Sequence, residues 1–76
     1  MCGIVGYIGK QAAAPILIEG LRRLEYRGYD SAGVALFMEH GIEIRKAEGR
    51  LENVEKLIRS QKDLMSDSFC GIGHTR

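Results

Sequence analysis

The pattern of apolar and polar residues predicts a strand followed by an amphipathic helix in the first third of the chain. Cys2–Gly9 is apolar and β-branched between glycines, which is typical of a buried strand approached closely by other groups. From Ala12 onward, apolar residues recur at positions i, i+4 and i+7, as Leu17, Leu21 and Leu24. This spacing predicts a helix that ends near Tyr26, where turn-forming residues begin.

The middle of the chain predicts a hairpin. Ala32–Met38 is a continuous apolar run, which favours a strand buried on both faces, and Ile42–Arg45 alternates with period two, which favours a strand buried on one face. Glu39–Gly41 forms the turn between them.

A second helix and a last strand complete the predicted order. Helical spacing of apolar residues among charged neighbours predicts a helix over roughly Glu52–Lys62, and Phe69–Gly73 has the length and composition of a short strand. The order is then βαββαβ, an α+β arrangement. Taken alone, that order favours a ferredoxin-like domain, a fold that often serves as a binding or regulatory module.

Composition narrows the class of protein. The chain has 76 residues, 45% of them hydrophobic, and a net charge of +1, so no excess of positive charge favours nucleic acid or an anionic membrane. The longest uncharged run, Met1–Gly9, is too short to span a bilayer. Two cysteines without a C-x-x-C pair predict a reducing, cytoplasmic location. Since Cys2, His40, Cys70 and His74 lack paired short spacing, we expect no metal and no cofactor.

Cys2 is the first candidate for chemistry. A small residue after the initiator methionine permits removal of Met1, which leaves a thiol and a free α-amine on one residue. An α-amine titrates near ~7.7–8.0 and a thiol near ~8.5, so the amine is a suitable base for its own thiol. The alternative is that Cys2 is only a small apolar residue that starts a buried strand.

Two further segments carry candidate side chains. In the turn that contains Arg27 and Gly28, the arginine could lock the turn through a carboxylate and the glycine could let backbone approach an active-site residue; the alternative is a solvated connection. Arg76 follows the last predicted strand, and its guanidinium suits bidentate capture of a carboxylate or phosphate. A frayed polar terminus is the alternative there, and we expect Cys70 to be a core thiol.

Three separated motifs together resemble a known family. They are Met1-Cys-Gly-Ile-Val-Gly6, Leu21-Arg-Arg-Leu-Glu-Tyr-Arg-Gly-Tyr-Asp-Ser-Ala-Gly33 and Gly71-Ile-Gly-His-Thr-Arg76. They are similar to the start of the glutaminase domain of class II glutamine amidotransferases, which are N-terminal nucleophile hydrolases. Other members, such as amidophosphoribosyltransferase, carry His-Arg-Gly followed by Gln-Asp or Pro-Asp. Tyr26 and Tyr29 at those places resemble the isomerising, glutamine-dependent aminotransferases of aminosugar synthesis.

The resemblance implies a role for each candidate. Cys2 would attack the side-chain amide of glutamine, giving a γ-glutamyl thioester and ammonia, with its own α-amine as base. Arg27 and Gly28 would hold the N-terminal residue in place, and Arg76 would grip the α-carboxylate of glutamine. The ammonia would pass to fructose 6-phosphate in a further domain, and the full enzyme would be a homo-oligomer.

The resemblance also implies a missing part. In the family the third motif continues into Trp-Ala-Thr-His-Gly, an Asn-Gly oxyanion hole and an acidic residue that recognises the substrate amine. We therefore expect residues 1–76 to be a partial glutaminase domain, the N-terminal portion of a four-layer αββα sandwich. Since one oxyanion donor supplies about 2.7–4 kcal/mol, this portion alone should be inactive. The rival hypothesis is a self-standing, non-catalytic βαββαβ binding module.

Overall fold

The chain folds into one sheet and one layer of helices. The computed structural model describes residues 2–76, with the backbone alone for Arg27. The elements, in chain order, are β1 (Gly3–Ile8), α1 (Ala13–Leu24), a 3₁₀ turn (Glu25–Arg27), β2 (Ser31–Met38), β3 (Gly41–Glu48), α2 (Leu51–Arg59), α3 (Lys62–Ser66) and β4 (Cys70–Thr75). The predicted α+β class is confirmed, and so is the hairpin of β2 and β3.

The predicted second helix is divided into two. After Arg59 the Ser60 hydroxyl donates to the Leu57 carbonyl at 2.7 Å, and Gln61 adopts an extended backbone before α3 begins. A serine that bonds to nearby backbone competes with the helical ladder, which accounts for the break. The observed order is therefore βαββααβ. None of the helices formed by residues 2–76 is long and apolar enough to cross a membrane.

The sheet has the order β1-β4-β2-β3, and every neighbouring pair is antiparallel. The last strand is thus inserted between the first strand and the hairpin. In a ferredoxin-like sheet the first and third strands are central, whereas here β4 and β2 are central and β1 forms an edge. The ferredoxin-like alternative is therefore wrong.

The core lies between the sheet and the helices. Leu17 and Leu21 of α1 are fully buried, and Val34 and Leu36 of β2 face the helices with about 1% of their surface exposed. Two of the β4 residues on this face, Gly71 and Gly73, are glycines, which lets α1 lie directly on the strand: a Cβ added to Gly73 would be 2.9 Å from Leu21 Cδ1. The glycines of β4 thus serve the contact between helix and sheet.

The face of the sheet opposite the helices is uncovered and apolar; we call it the outer face. Side chains alternate along each strand, and six large apolar ones on this face have about half or more of their surface exposed: Ile4, Ile8, Phe37, Ile42, Ile44 and Ile72. The register places them in neighbouring rows across the four strands. The prediction that β2 is buried on both faces is wrong for this chain, since Phe37 is 56% exposed.

Candidate functional site

Candidate residues from the two ends of the chain meet at one end of the sheet. β1 and β4 pair with Gly3 opposite Thr75, and β2 and β4 pair with Ala32 opposite Thr75. Cys2 precedes Gly3 and Arg76 follows Thr75, so both residues lie just beyond the last pair of this register, at the same end of the sheet. We call this end of the sheet, where Cys2, Ser31 and Arg76 lie, the Cys2 end.

The backbone of Arg76 is fixed by hydrogen bonds to the start of β2. Its N–H donates to the Ser31 carbonyl at 2.9 Å, and its own carbonyl accepts the N–H groups of Asp30 at 2.5 Å and Ser31 at 3.3 Å. Thr75 before it is buried. The alternative of a frayed terminus at residues 74–76 is therefore wrong, and Arg76 is attached to the central pair of strands.

The Arg76 side chain borders a shallow depression of about 460 Å³. Asp30, Ser31 and Glu48 line the rest of it. This volume lies within the range of about 300–1,000 Å³ that is usual for small-molecule sites. Arg76 brings one positive charge to this depression, and Asp30 and Glu48 bring two negative ones, so it suits a zwitterion better than an anion.

Cys2 is a free, exposed thiol immediately before β1. It is not packed into the core, so its interpretation as a small residue starting a buried strand is wrong, and a ligand can reach the sulfur from solvent. Met1 lies outside the described residues, and its removal stays a prediction.

Gly28 ends the 3₁₀ turn in a conformation that favours glycine. Its φ is 75° and its ψ is 141°, and its N–H donates to the Glu25 carbonyl at 3.1 Å. A Cβ at this position would meet no atom within 4 Å in the part of the chain that the structure describes. The positive φ of Gly28 is therefore a sufficient reason for a glycine here, and its predicted role in letting backbone approach the nucleophile stays a prediction. The Arg27 side chain lies outside the described residues, so its predicted lock stays a prediction.

Tyr29 makes two hydrogen bonds that sequence analysis missed. Its hydroxyl donates to Glu25 Oε2 at 2.8 Å and accepts the Leu51 N–H at 2.5 Å. Burial, and then the bond to Glu25, raise the pKa of the Tyr29 hydroxyl above its ordinary value, so it stays protonated at neutral pH. The hydroxyl therefore links the turn after α1 to the first residue of α2.

Cys70 and His74 both belong to the outer face of β4. Cys70 is half-buried beside Ile8 in the β1 register, so the expectation of a core thiol is wrong. The imidazole of His74 lies over Gly33, where an added Cβ would be 2.7 Å from His74 Nε2. Neither side chain lies in the depression bordered by Arg76.

The whole chain is similar to part of a set of longer proteins. It is 59% identical over 76 residues to the glutamine–fructose-6-phosphate aminotransferase [isomerizing] of Clostridium tetani and 59% identical to that of Caldanaerobacter subterraneus. The identity to the same-named protein of Gloeobacter violaceus is 54%. Each match covers 100% of this chain and 12% of the relative, in the relative's N-terminal region. No family model matches the chain.

Proposed function

From the similarity of the whole chain to the N-terminal region of glutamine–fructose-6-phosphate aminotransferases, we propose that it forms the first part of a glutaminase domain in such an enzyme. Cys2 is the nucleophile and Arg76 binds the α-carboxylate of glutamine. The ammonia released converts fructose 6-phosphate to glucosamine 6-phosphate in a further domain. Fructose 6-phosphate is a charged metabolite that does not cross membranes unaided, which supports a cytoplasmic location.

One observation carries the proposal: β1 and β4 pair as far as Gly3 opposite Thr75, and Cys2 and Arg76 are the next residues of the chain at that end of the sheet. Directly opposed residues of antiparallel strands have Cα atoms about 4.5–5.5 Å apart. In glutamine, three carbon–carbon bonds separate the Cα, which bears the carboxylate, from the side-chain amide carbon. A guanidinium that grips the carboxylate thus leaves the amide carbon within reach of a sulfur on the neighbouring strand.

The chemistry follows from these two groups. Once Met1 is removed, the α-amine of Cys2 takes the thiol proton and the thiolate attacks the amide carbon of glutamine. The C–N bond then breaks, the ammonium returns its proton to the leaving nitrogen, and ammonia departs from a γ-glutamyl thioester. Water hydrolyses the thioester to glutamate and regenerates the thiol. We propose that the donors for the oxyanion come from residues beyond Arg76.

The outer face supports a fold proposal for the full-length protein that contains this sequence. A sheet covered by helices on one side and apolar on the other is half of a sandwich, and exposed apolar patches of this kind usually mark a contact surface. We propose that a second sheet with its own helices covers the outer face, which gives a four-layer αββα glutaminase domain.

The reactivity of Cys70 tests whether a second sheet covers the outer face. In the full-length protein we expect Cys70 to react with iodoacetamide at least tenfold more slowly than in the same protein unfolded in urea, because a second sheet would exclude the reagent from the outer face. Peptide mapping by mass spectrometry follows each cysteine separately, and exposed Cys2 is the internal control. Reaction of Cys70 at the unfolded rate would contradict the sandwich.

Arg76 tests the substrate-binding part of the proposal. In the full-length protein, Arg76→Lys should raise the KM for glutamine by on the order of 10-fold to 100-fold, since lysine keeps the charge and loses the bidentate bond. Arg23→Lys, the same change on the exposed surface of α1, is the matched control and should leave the KM unchanged. An unchanged KM in Arg76→Lys would remove this residue from the site.

A further inference from the structure

The start of α2 is completed by a side chain from another part of the chain. The N-cap residue of this helix, Arg50, makes no side-chain capping bond. Helices leave their first N–H groups without partners inside the helix, and such groups need an acceptor when they are not solvated. Tyr29 lies 22 residues before Leu51 in the sequence. Its hydroxyl accepts a hydrogen bond from the Leu51 N–H at 2.5 Å and so acts as the missing cap.

The same hydroxyl also holds the turn that precedes β2. It donates to Glu25 Oε2 at 2.8 Å, so one oxygen bridges the 3₁₀ turn and α2. The hydroxyl proton is donated in the hydrogen bond to the carboxylate, and a lone pair of the oxygen accepts the hydrogen bond from the N–H. Both the donor and the acceptor function of the tyrosine hydroxyl are therefore used. Phenylalanine at this position would keep the ring and lose both bonds.

Tyr29 is connected to the backbone of Arg76 through the next residue, Asp30. Asp30, the next residue, donates its N–H to the Arg76 carbonyl at 2.5 Å, and its own carbonyl accepts the N–H of Gly49 at 2.8 Å. Asp30 is thus attached to Arg76 on one side and to the residues before α2 on the other. Asp30 thus provides a direct connection through which a shift of Tyr29 can reach the backbone of Arg76.

We propose that Tyr29 is a positioning residue that sets where the Arg76 guanidinium meets the α-carboxylate of glutamine. The inference rests on the proposed function, and it assigns to Tyr29 an effect on substrate affinity that reaches Arg76 through Asp30. Tyr29 does not line the depression that Arg76 borders. Its hydroxyl acts by holding the turn, β2 and α2 in one arrangement.

The test is Tyr29→Phe in the full-length protein, with two alkylating probes for Cys2. Iodoacetamide carries no carboxylate, whereas 6-diazo-5-oxo-L-norleucine is an electrophile with the α-carboxylate and α-amine of glutamine. We expect labelling by the diazo compound at limiting concentration to slow by about 5-fold to 10-fold, the scale of one or two hydrogen bonds, while labelling by iodoacetamide is unchanged. In steady-state assays the KM for glutamine should rise by a similar factor, with kcat within about twofold.

Two variants make the result specific. Tyr26→Phe is the same chemical change three residues earlier, at a side chain that is 86% exposed, and it should match the wild type with both probes. Glu25→Gln keeps an oxygen acceptor for the Tyr29 hydroxyl and should fall between the wild type and Tyr29→Phe.

The outcomes separate the two proposals. In the wild type, the diazo compound should label Cys2, and added glutamine should prevent this labelling. If no such glutamine-sensitive labelling is seen, the proposed function is wrong, and this inference with it. If the wild type is labelled as expected and Tyr29→Phe is equal to it, the inference alone is overturned. Equal slowing with both probes would also overturn it, because it would indicate general loss of structure around Cys2.

Discussion

Replacing Cys2 with alanine should abolish glutamine hydrolysis by the full-length protein. The thiol is the only group proposed to form a covalent bond with the substrate, so its loss removes the thioester route altogether. Removal of a nucleophile from a well-studied serine protease lowers kcat by on the order of 10⁶-fold, and we expect the glutaminase rate of Cys2→Ala to fall to the blank. Release of ammonia from glutamine, followed with a coupled assay, measures it.

Cys70→Ala is the matched control for this prediction. Both thiols are free, but Cys2 is exposed at the start of β1, whereas Cys70 is half-buried at the other end of the β1–β4 pair. It should keep the glutaminase rate within a few fold. Cys2→Ala should also keep any sugar isomerisation that needs no glutamine, since that reaction is proposed to occur in another domain. Glutamine hydrolysis that persists in Cys2→Ala would contradict the assignment of Cys2 as the nucleophile.

Most of the local structure follows from the sequence, because local structure depends on side-chain period. The spacing of Leu17, Leu21 and Leu24 predicts α1, and the alternation over Ile42–Arg45 predicts the edge strand β3. The break between α2 and α3 was harder to predict, since it depends on one hydroxyl bond, from Ser60 to Leu57, that competes with the helical pattern.

The order of strands could not be predicted from the same patterns. Whether β4 pairs beside the hairpin or at an edge depends on long-range contacts, and the βαββαβ order is compatible with several sheets. The prediction that β2 is buried on both faces was wrong for a related reason. A continuous apolar run indicates two faces to be covered, but it does not say whether the partner surface lies within the same residues.

The candidate site shows the same division between local and long-range information. Cys2 and Arg76 can be singled out by residue type and motif, but only the pairing of β1 with β4 brings them to the same end of the sheet. The bond from Leu51 to Tyr29 joins residues 22 positions apart, and no local signal accompanies it. The absence of a side-chain cap on α2 is the one clue, since an uncapped helix start needs a partner from elsewhere.

Gly71 is where one added methyl group should have the largest effect on folding. In β4 it lies under α1, and a Cβ built there would be 2.6 Å from the Ala35 carbonyl oxygen and 3.0 Å from Leu17 Cδ1. The oxygen belongs to the neighbouring central strand, so it cannot rotate away, and Leu17 is fully buried. Relief of the clash requires β4, β2 or α1 to move.

We expect Gly71→Ala to destabilise the chain by about 2–3 kcal/mol, the upper part of the range for overpacked cores. That is a large share of the ~3–5 kcal/mol that a core of this size supplies, so the urea midpoint should fall steeply. For residues 1–76 alone, Gly6→Ala is the matched control on β1: its Cβ would face outward, 3.8 Å from Ile72 Cγ2, an ordinary contact. It should change stability by less than about 0.5 kcal/mol. Equal midpoints for the two variants would show that β4 and α1 are not packed as closely as described, because only that packing distinguishes the two glycines.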